Sequence, residues 1–426
     1  MPLVKRSPTD TIVEVTIDSL AGLGDGVVHY NGNPLFVPKS CVGDRLKVRI
    51  TQEAKDACHG VITEILYAGP TRREAPCAHF HHCGGCSLQQ LDPETYQHFK
   101  LTMLQQSLHR AGLSCDTSPI LFLPAATRRR VEFKLHHHDG KTALAFHQPR
   151  SHRLIAVHEC PILEPALAAL IAPLNHALSQ LSCSRLVSAI SLTAADSGID
   201  MVLTVSGDIA SCASELSAMC NRLNIARLSQ RQSSHKLEVL VTAKPVYMRL
   251  ADIDVPLPPD AFLQASAEGQ SALTQAAVAA TSGASSIIDL FCGIGTYSFP
   301  LSQQAQVHAI EGDSAMVGTI RNTISRQALA SLTVEQRDLF DNPIPVKQID
   351  SYDAAIINPP RAGAKAQCEK LAHSTIPTIV MISCNPATFS RDARILCDGG
   401  YHLHALSGVD QFVWSEHLEL VAIFRR

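Results

Sequence analysis

From about residue 285 onward the chain alternates short apolar runs with loops that carry glycine, proline or an acid. SSIIDL enters FCGIGTYSF, VHAIEG ends at Glu311, LTVEQRD ends at Asp338, YDAAIINPPR ends at Asn358-Pro359-Pro360-Arg361, and IVMISCNPATFSRD stops at Cys384-Asn385-Pro386. Runs this apolar, without polar alternation, are strands buried on both faces, and strands alternating with helical stretches build a parallel sheet covered by helices. This predicts an α/β, Rossmann-like sheet for the C-terminal part. Ligands and chemistry collect at the carboxyl ends of such strands, so a thiol at the tip of one, Cys384, is placed to act as a nucleophile.

The first loop narrows the ligand. Gly293 and Gly295 permit close backbone approach, and Glu311 lies about twenty residues past the start of the loop, where a carboxylate that binds a ribose belongs. Enzymes of nicotinamide cofactors share that logic. Here the third glycine of the dinucleotide fingerprint is absent, which leaves less provision for a pyrophosphate at the helix start. A nucleoside cofactor without phosphates, S-adenosylmethionine, fits better.

With 426 residues the chain is too long for one hydrophobic core, and two or three domains are expected. No early stretch combines a basic start, an apolar segment and a cleavage site, and no apolar run reaches membrane-spanning length, so a cytoplasmic protein without membrane contact is expected. In that compartment the 14 cysteines are better explained as ligands, nucleophiles or packing than as disulfides. A net charge of -3 argues against attraction of nucleic acid to the whole surface, while a local basic strip escapes that average.

Residues 9 to 67 carry short strands separated by Gly, Asn and Asp turns, which suits a five-stranded OB-type barrel. The order of its pieces, Gly22, Gly24 and Gly26 before VVHY, then FVP and VGD, resembles a TRAM domain, a small RNA-binding module. In PCAHFHHCGGCSLQQ, Cys77, Cys83 and Cys86 stand with five and then two residues between them, and Gly84-Gly85 lets their thiolates converge. Cys160, in HECPIL, is the first later cysteine in a similar setting. Four thiolates suit an iron–sulfur cubane, and a zinc site drawing on His79, His81 or His82 stays open beside it. An amphipathic helix over 90 to 112 follows, then paired strands with a turn at Asp139-Gly140. Arg128, Arg129 and Arg130 form the most basic spot and are candidate phosphate contacts. His136, His137 and His138 cannot face one metal from a strand, because neighbours point to opposite sides. Residues from about 161 to 256 read as α+β, with VPLPPD at 255 to 260 as a boundary. The expected domains are 1–68, 69–256 and 257–426.

The chemistry that joins these pieces is that of an unreactive ring carbon. Carbon 5 of uracil becomes nucleophilic once a thiolate adds to carbon 6, and after it takes a methyl group a base must remove its proton so that the thiol is expelled. Such a mechanism asks for a cysteine and a carboxylate on neighbouring strand ends. Cys384 and Glu419 meet the demand, with Asp410 and Glu416 ranked behind Glu419.

DLFCGIGTYSFPL, NPPRAGA, ISCNPATFSRD and HLELVAIF resemble the motifs of the RNA (uracil-5-)-methyltransferases of the RumA/RlmD and TrmA group. Together with the TRAM-like barrel and the four cysteines, the resemblance extends over almost the whole chain. It implies a class I S-adenosylmethionine-dependent methyltransferase domain, Cys384 as nucleophile and Glu419 as base. It implies cofactor contacts at Gln264, Phe291, Gly293, Gly295, Thr296, Glu311, Asp338 and Asn358, and a [4Fe-4S] cluster on Cys77, Cys83, Cys86 and Cys160, which decides against zinc. It also implies that the helix at 90 to 112 packs on the catalytic domain.

The cluster resembles the ribosomal-RNA branch, so methylation of a uridine in structured RNA, 23S rRNA, by a monomer is expected, with no DNA substrate. A tRNA target, or a non-catalytic RNA-binding or redox-sensing protein, is the alternative. Two positions depart from the family pattern: Asn358 replaces its Asp, and Ser266 replaces the Asn that follows Gln264 by two positions. Asn358 creates the NPP core of amino-methyltransferases of adenine or cytosine. There an aromatic residue follows, whereas here Arg361 does, and that reading leaves Cys384 and Glu419 without a task.

Overall fold

The computed structural model describes residues 11–54, 56–115, 117–138, 141–232 and 237–426. The turn expected at Asp139-Gly140 lies outside the described residues. Two compact units emerge: residues 1–103, 146–155 and 414–416 form one, and 104–145, 156–413 and 417–426 the other.

In the first unit, six strands between Ile12 and Tyr67 form one sheet. Its two longest members, Arg45–Glu53 and Cys58–Tyr67, pair antiparallel with three register shifts, which bend the sheet. Alternate residues of its strands, Leu35, Val37, Leu46, Val48 and Ile50, close a small apolar core with Ile17 and Cys58. The buried Asp44 carboxylate accepts from Arg72 and from the backbone N–H groups of Cys41 and Gly69, so the charge is paired and bonded.

Two large sheets follow, the second wholly in the second unit and the first mostly so, since residues 146–155 belong to the first unit. Seven strands between Arg130 and Thr242 lie in the order 154–156, 141–147, 130–138, 187–195, 198–205, 225–231 and 237–242. All its pairs for which register is defined are antiparallel except Gly198–Val205 with Ile225–Arg231, whose parallel crossing is made by the helix Ala213–Leu223. His136 and His138 stack at 5.8 Å, whereas His137 bonds Thr142 and the Val187 carbonyl, so the three rings divide between the two faces as the strand period requires.

The eight-stranded sheet runs in the order 332–336, 306–311, 286–290, 354–357, 378–383, 419–425, 402–410 and 121–122. Its first five members are parallel, and Glu419–Arg425 inserts antiparallel between Thr378–Ser383 and His402–Asp410. Ala354–Ile357 is buried at every position, and Thr378–Ser383 at every position after the first, which is why both read as uninterrupted apolar runs. Strand order reverses around Ser286–Leu290, whose neighbours are Gln306–Glu311 and Ala354–Ile357, and the crevice of an open α/β sheet opens at such a point. The sequence predicts this α/β architecture.

Helix ends carry the expected chemistry. Asp313 caps Ser314–Gln327 by accepting from Ala315 and Met316, and Ala328 closes it in the left-handed conformation. Asn385 caps Pro386–Asp398, whose first residue is a proline. The amphipathic helix of the sequence spans Pro93–Ala111, and in its later turns Ser107 O accepts from Ser390 Oγ at 2.8 Å.

Candidate active site

Cys384 and Glu419 come together through sheet register. Ser383 pairs with Leu420 across the antiparallel neighbours, so the next residue of one strand, Cys384, meets the preceding residue of the other, Glu419. Val409 pairs with Glu419 on the far side, which holds the carboxylate at the rim of the sheet with strands on both flanks. Of the other acids considered, Glu416 accepts from Ser87 Oγ at 2.9 Å within the first unit, and Asp410 is a buried strand-end residue. Neither has the register that Glu419 has with the thiol strand.

The electrostatics of the pair follow from burial. Glu419 is 3% exposed, and removal from water raises its carboxyl to about 7, against the opposing pulls of a Gln411 hydrogen bond and the Arg361 charge. A carboxylate poised there serves as a general base near neutral pH. Burial also raises the Cys384 thiol, the Glu419 charge adds to the rise, and Arg361 opposes both. Arg361 is thus the charge that lowers the proton affinity of a thiol which burial keeps raised on balance. Its guanidinium donates to Nε2 of His417 at 3.2 Å, which makes that nitrogen the acceptor.

The loop after Ser286–Leu290 supplies the cofactor side. Phe291 adopts φ of 61°, Gly293 of 60° and Gly295 of 87°. A Cβ on Gly293 would meet nothing within 4 Å, so the backbone is open there for a ligand, whereas one on Gly295 would stand 2.7 Å from the Phe299 ring. Glu311 accepts from Gly293 N at 2.9 Å with one oxygen and from Gly312 and Asp313 N–H groups with the other, which fixes it beside the loop. Thr296 is half-buried in the same loop. Asp338 accepts from Phe340 N at 2.9 Å, and the Phe340 ring lies 5.4 Å from that of Phe291, an aromatic pair with Phe340 exposed. The two rings are tilted by 56° to one another, which leaves the exposed face of Phe340 available for stacking. Asp289 is buried and raised to about 7 by burial; Ser298 donates to one oxygen, and the other is an acceptor without a hydrogen-bond partner that a cofactor's donor would satisfy. These features fit a nucleoside cofactor.

Asn358 sits half-buried after Ala354–Ile357, its backbone N–H donating to Leu290 O at 3.2 Å. Ser266, the other departure, caps the helix Ala267–Ala280 by accepting from Gly269 N at 3.0 Å, a task that Asn and Ser share.

Gln264 is buried, donating to Tyr297 OH at 3.2 Å and accepting from Gln411 Nε2 at 2.7 Å. Arg129 donates to the Gln264 carbonyl at 3.0 Å and to Gln270 Oε1 at 2.6 Å. This corrects the reading of Arg129, which is 3% exposed and cannot reach a phosphate, while Arg130 pairs with Asp260. The reason is tertiary, because this strand start is covered by the segment around Gln264. Gln411, Tyr297, Phe340 and the thiol-side role of Arg361 were not found from the sequence, and nothing local to them signals a site.

Cys77, Cys83 and Cys86 belong to the first unit and Cys160 to the second, all four half-buried. Among the described residues no group of three or more His, Cys, Asp or Glu is gathered as a metal site. The donor chemistry nevertheless fits a thiolate centre. Gly85 N–H donates to Cys83 Sγ at 3.3 Å, and Lys39, lowered to about 8 by burial, feels Cys83, Cys86 and Cys77 as charges that raise it.

Comparison with known proteins follows the same line. The family described as tRNA (uracil-5-)-methyltransferase matches residues 124–426. An uncharacterized RNA methyltransferase of Caulobacter vibrioides is 34% identical, with 97% of this chain and all of that one covered. A 23S rRNA (uracil(1939)-C(5))-methyltransferase, RlmD, of Pectobacterium atrosepticum is 30% identical, with 96% of this chain and 93% of the relative covered. Among solved structures, the Pyrococcus abyssi tRNA (uracil-54, C5)-methyltransferase in complex with S-adenosyl-L-homocysteine aligns with a TM-score of 0.74 at 18% identity, over 97% of this chain and all of that one, a likeness of fold.

Proposed function

The chain belongs to the tRNA (uracil-5-)-methyltransferase family, and from that premise we propose that it transfers the methyl group of S-adenosylmethionine to carbon 5 of a uridine in structured RNA, with 23S rRNA as its target. The observation that carries this reading is the register that sets Cys384 beside Glu419 at adjoining strand ends, with Arg361 next to the thiol. In the reaction, the Cys384 sulfur adds to carbon 6 and carbon 5 becomes the nucleophile. Bound S-adenosylmethionine supplies an electrophilic methyl group. Glu419 then takes the proton from carbon 5, the double bond returns, and the thiolate leaves.

Gln264, Phe291, Gly293, Gly295, Thr296, Glu311, Asp338 and Asn358 are assigned to the cofactor. The open backbone at Gly293 and the fixed Glu311 carboxylate support this assignment. The six-stranded N-terminal sheet is assigned to RNA contact as a TRAM-type barrel of residues 1–68, with 69–256 as the central and 257–426 as the catalytic domain. Cys77, Cys83, Cys86 and Cys160 would hold a [4Fe-4S] cluster, and no step of methyl transfer is routed through it. Work on RNA in the cytoplasm as a monomer completes the reading.

The test is to incubate the purified chain with labelled S-adenosylmethionine and with 23S rRNA or tRNA transcripts, then locate the label by nuclease mapping and mass spectrometry. 5-Methyluridine in the rRNA is the expected product. Label confined to tRNA would move the target, and no label at uridine carbon 5 in either RNA would overturn the activity.

A further inference from the structure

Gln411 follows the strand His402–Asp410 directly and is 2% exposed. The orientation of its carboxamide is set by an obligate donor, the backbone N–H of Ala265, which lies 3.1 Å from Oε1. A main-chain N–H cannot accept, so the oxygen must face it and the NH2 must face the other way. The two amide hydrogens reach Gln264 Oε1 at 2.7 Å and Glu419 Oε2 at 3.0 Å. Gln264 in turn points its own NH2 at Tyr297 OH. The amide cannot turn over without breaking all three of its bonds. Gly269 makes the room: a Cβ there would lie 2.8 Å from Gln411 Oε1 and 3.0 Å from its Cβ.

We infer that Gln411 is the positioning residue of the base: it occupies Oε2 of Glu419, leaves Oε1 to take the proton from carbon 5, and joins that carboxylate to Gln264 on the cofactor side. This rests on the reading of Glu419 as the base. In the step concerned the bond from carbon 5 to hydrogen breaks and the proton goes to Oε1. Its electron pair closes the double bond between carbons 5 and 6, and the pair of the carbon–sulfur bond leaves with Cys384 as thiolate. A proton on Oε2 would set a hydroxyl donor against the Gln411 N–H, two donors face to face, so Oε1 is the oxygen that serves. The same N–H stabilises the carboxylate over the neutral acid, which keeps the base available at lower pH than burial alone would allow.

The test uses the full chain with Gln411→Met, which keeps length and bulk and removes both donors. Difference infrared spectroscopy titrates the Glu419 carboxyl, with Glu419→Gln to assign the band, and the pH profile of kcat for uridine methylation is recorded in parallel. The Glu419 titration in Gln411→Met is expected to move up by about one pH unit, the acidic limb of kcat to move with it, and kcat at neutral pH to fall about fivefold. A residue that only filled space would change the melting temperature and leave the titration in place. Gln411→Glu, of the same shape, carries the same comparison should the methionine variant not fold, and its like charge should move Glu419 upward as well. Identical titrations in wild type and variants overturn the inference. A wild-type protein that methylates no uridine overturns instead the reading beneath it, and this is seen before any variant is made.

Discussion

Asn385 donates its side-chain amide to the backbone carbonyl of Arg361 at 2.9 Å. It thereby ties the loop after Thr378–Ser383 to the loop after Ala354–Ile357. The same side chain caps the helix that starts behind the thiol, and Thr388 Oγ1 adds a second bond to the Arg361 carbonyl at 3.3 Å. One asparagine therefore sets the helix start beside Cys384 and the position of the loop whose guanidinium stands next to it.

Arg361 opposes the two influences that raise the Cys384 thiol. Arg361→Gln is expected to slow alkylation of Cys384 by iodoacetamide at about pH 8 by roughly tenfold, because the thiol loses the charge that favours its thiolate. The label on the Cys384 peptide is quantified by mass spectrometry. An unchanged rate would remove Arg361 from the activation of the thiol.

Cys384→Ala leaves carbon 5 without its activating adduct. Methyl transfer to RNA should fall by at least about a thousandfold, while binding of S-adenosylhomocysteine measured by calorimetry stays within about twofold of wild type. Retained turnover would dispose of the nucleophile.

Glu419→Gln should stall after methyl transfer and leave a covalent protein–RNA adduct, visible as a retarded band on a denaturing gel; free turnover would contradict its role as base. In the wild type the base must be ionised, so activity should rise with pH through about 7. Stability runs the other way. The folded carboxyl is raised above its unfolded value of about 4.3, so its contribution is fully present below that value and is lost as pH rises through about 7. Glu419→Gln is therefore expected to gain on the order of 3 kcal/mol relative to wild type at pH of about 8 and little at about 4. Denaturant unfolding at the two pH values checks this.

Gly295 combines φ of 87° with a Phe299 ring that a Cβ would approach to 2.7 Å. Gly295→Ala must strain the loop or displace the ring, at about 2 kcal/mol. Thermal unfolding should show a fall of several degrees, with weaker cofactor binding by calorimetry.

The cysteine set makes a chemical prediction. Protein purified without oxygen should be brown and contain about four iron atoms per chain, and Cys83→Ala should lose both colour and iron. A colourless protein that binds zinc would replace the cluster by a Cys/His site.

The sequence by itself determined the α/β class, because strands buried on both faces leave unbroken apolar runs such as AAII and IVMI, and it marked the loop glycines, because positive φ restricts those positions to few residues. It also marked Cys384 at a strand tip, since an apolar run that stops at Asn-Pro is a local pattern. What it could not carry is who meets whom across the chain. Gln411 meets Gln264 from 147 residues away, and Arg129 reaches the Gln264 carbonyl across 135. Nothing near either residue records its partner. An arginine beside two others looks solvated until another segment covers it, and a glutamine after a strand looks idle until sheet register puts a buried carboxylate within its reach. Only the tertiary structure decided those, because burial and hydrogen-bond direction are properties of the packed surroundings and not of the local run of residues.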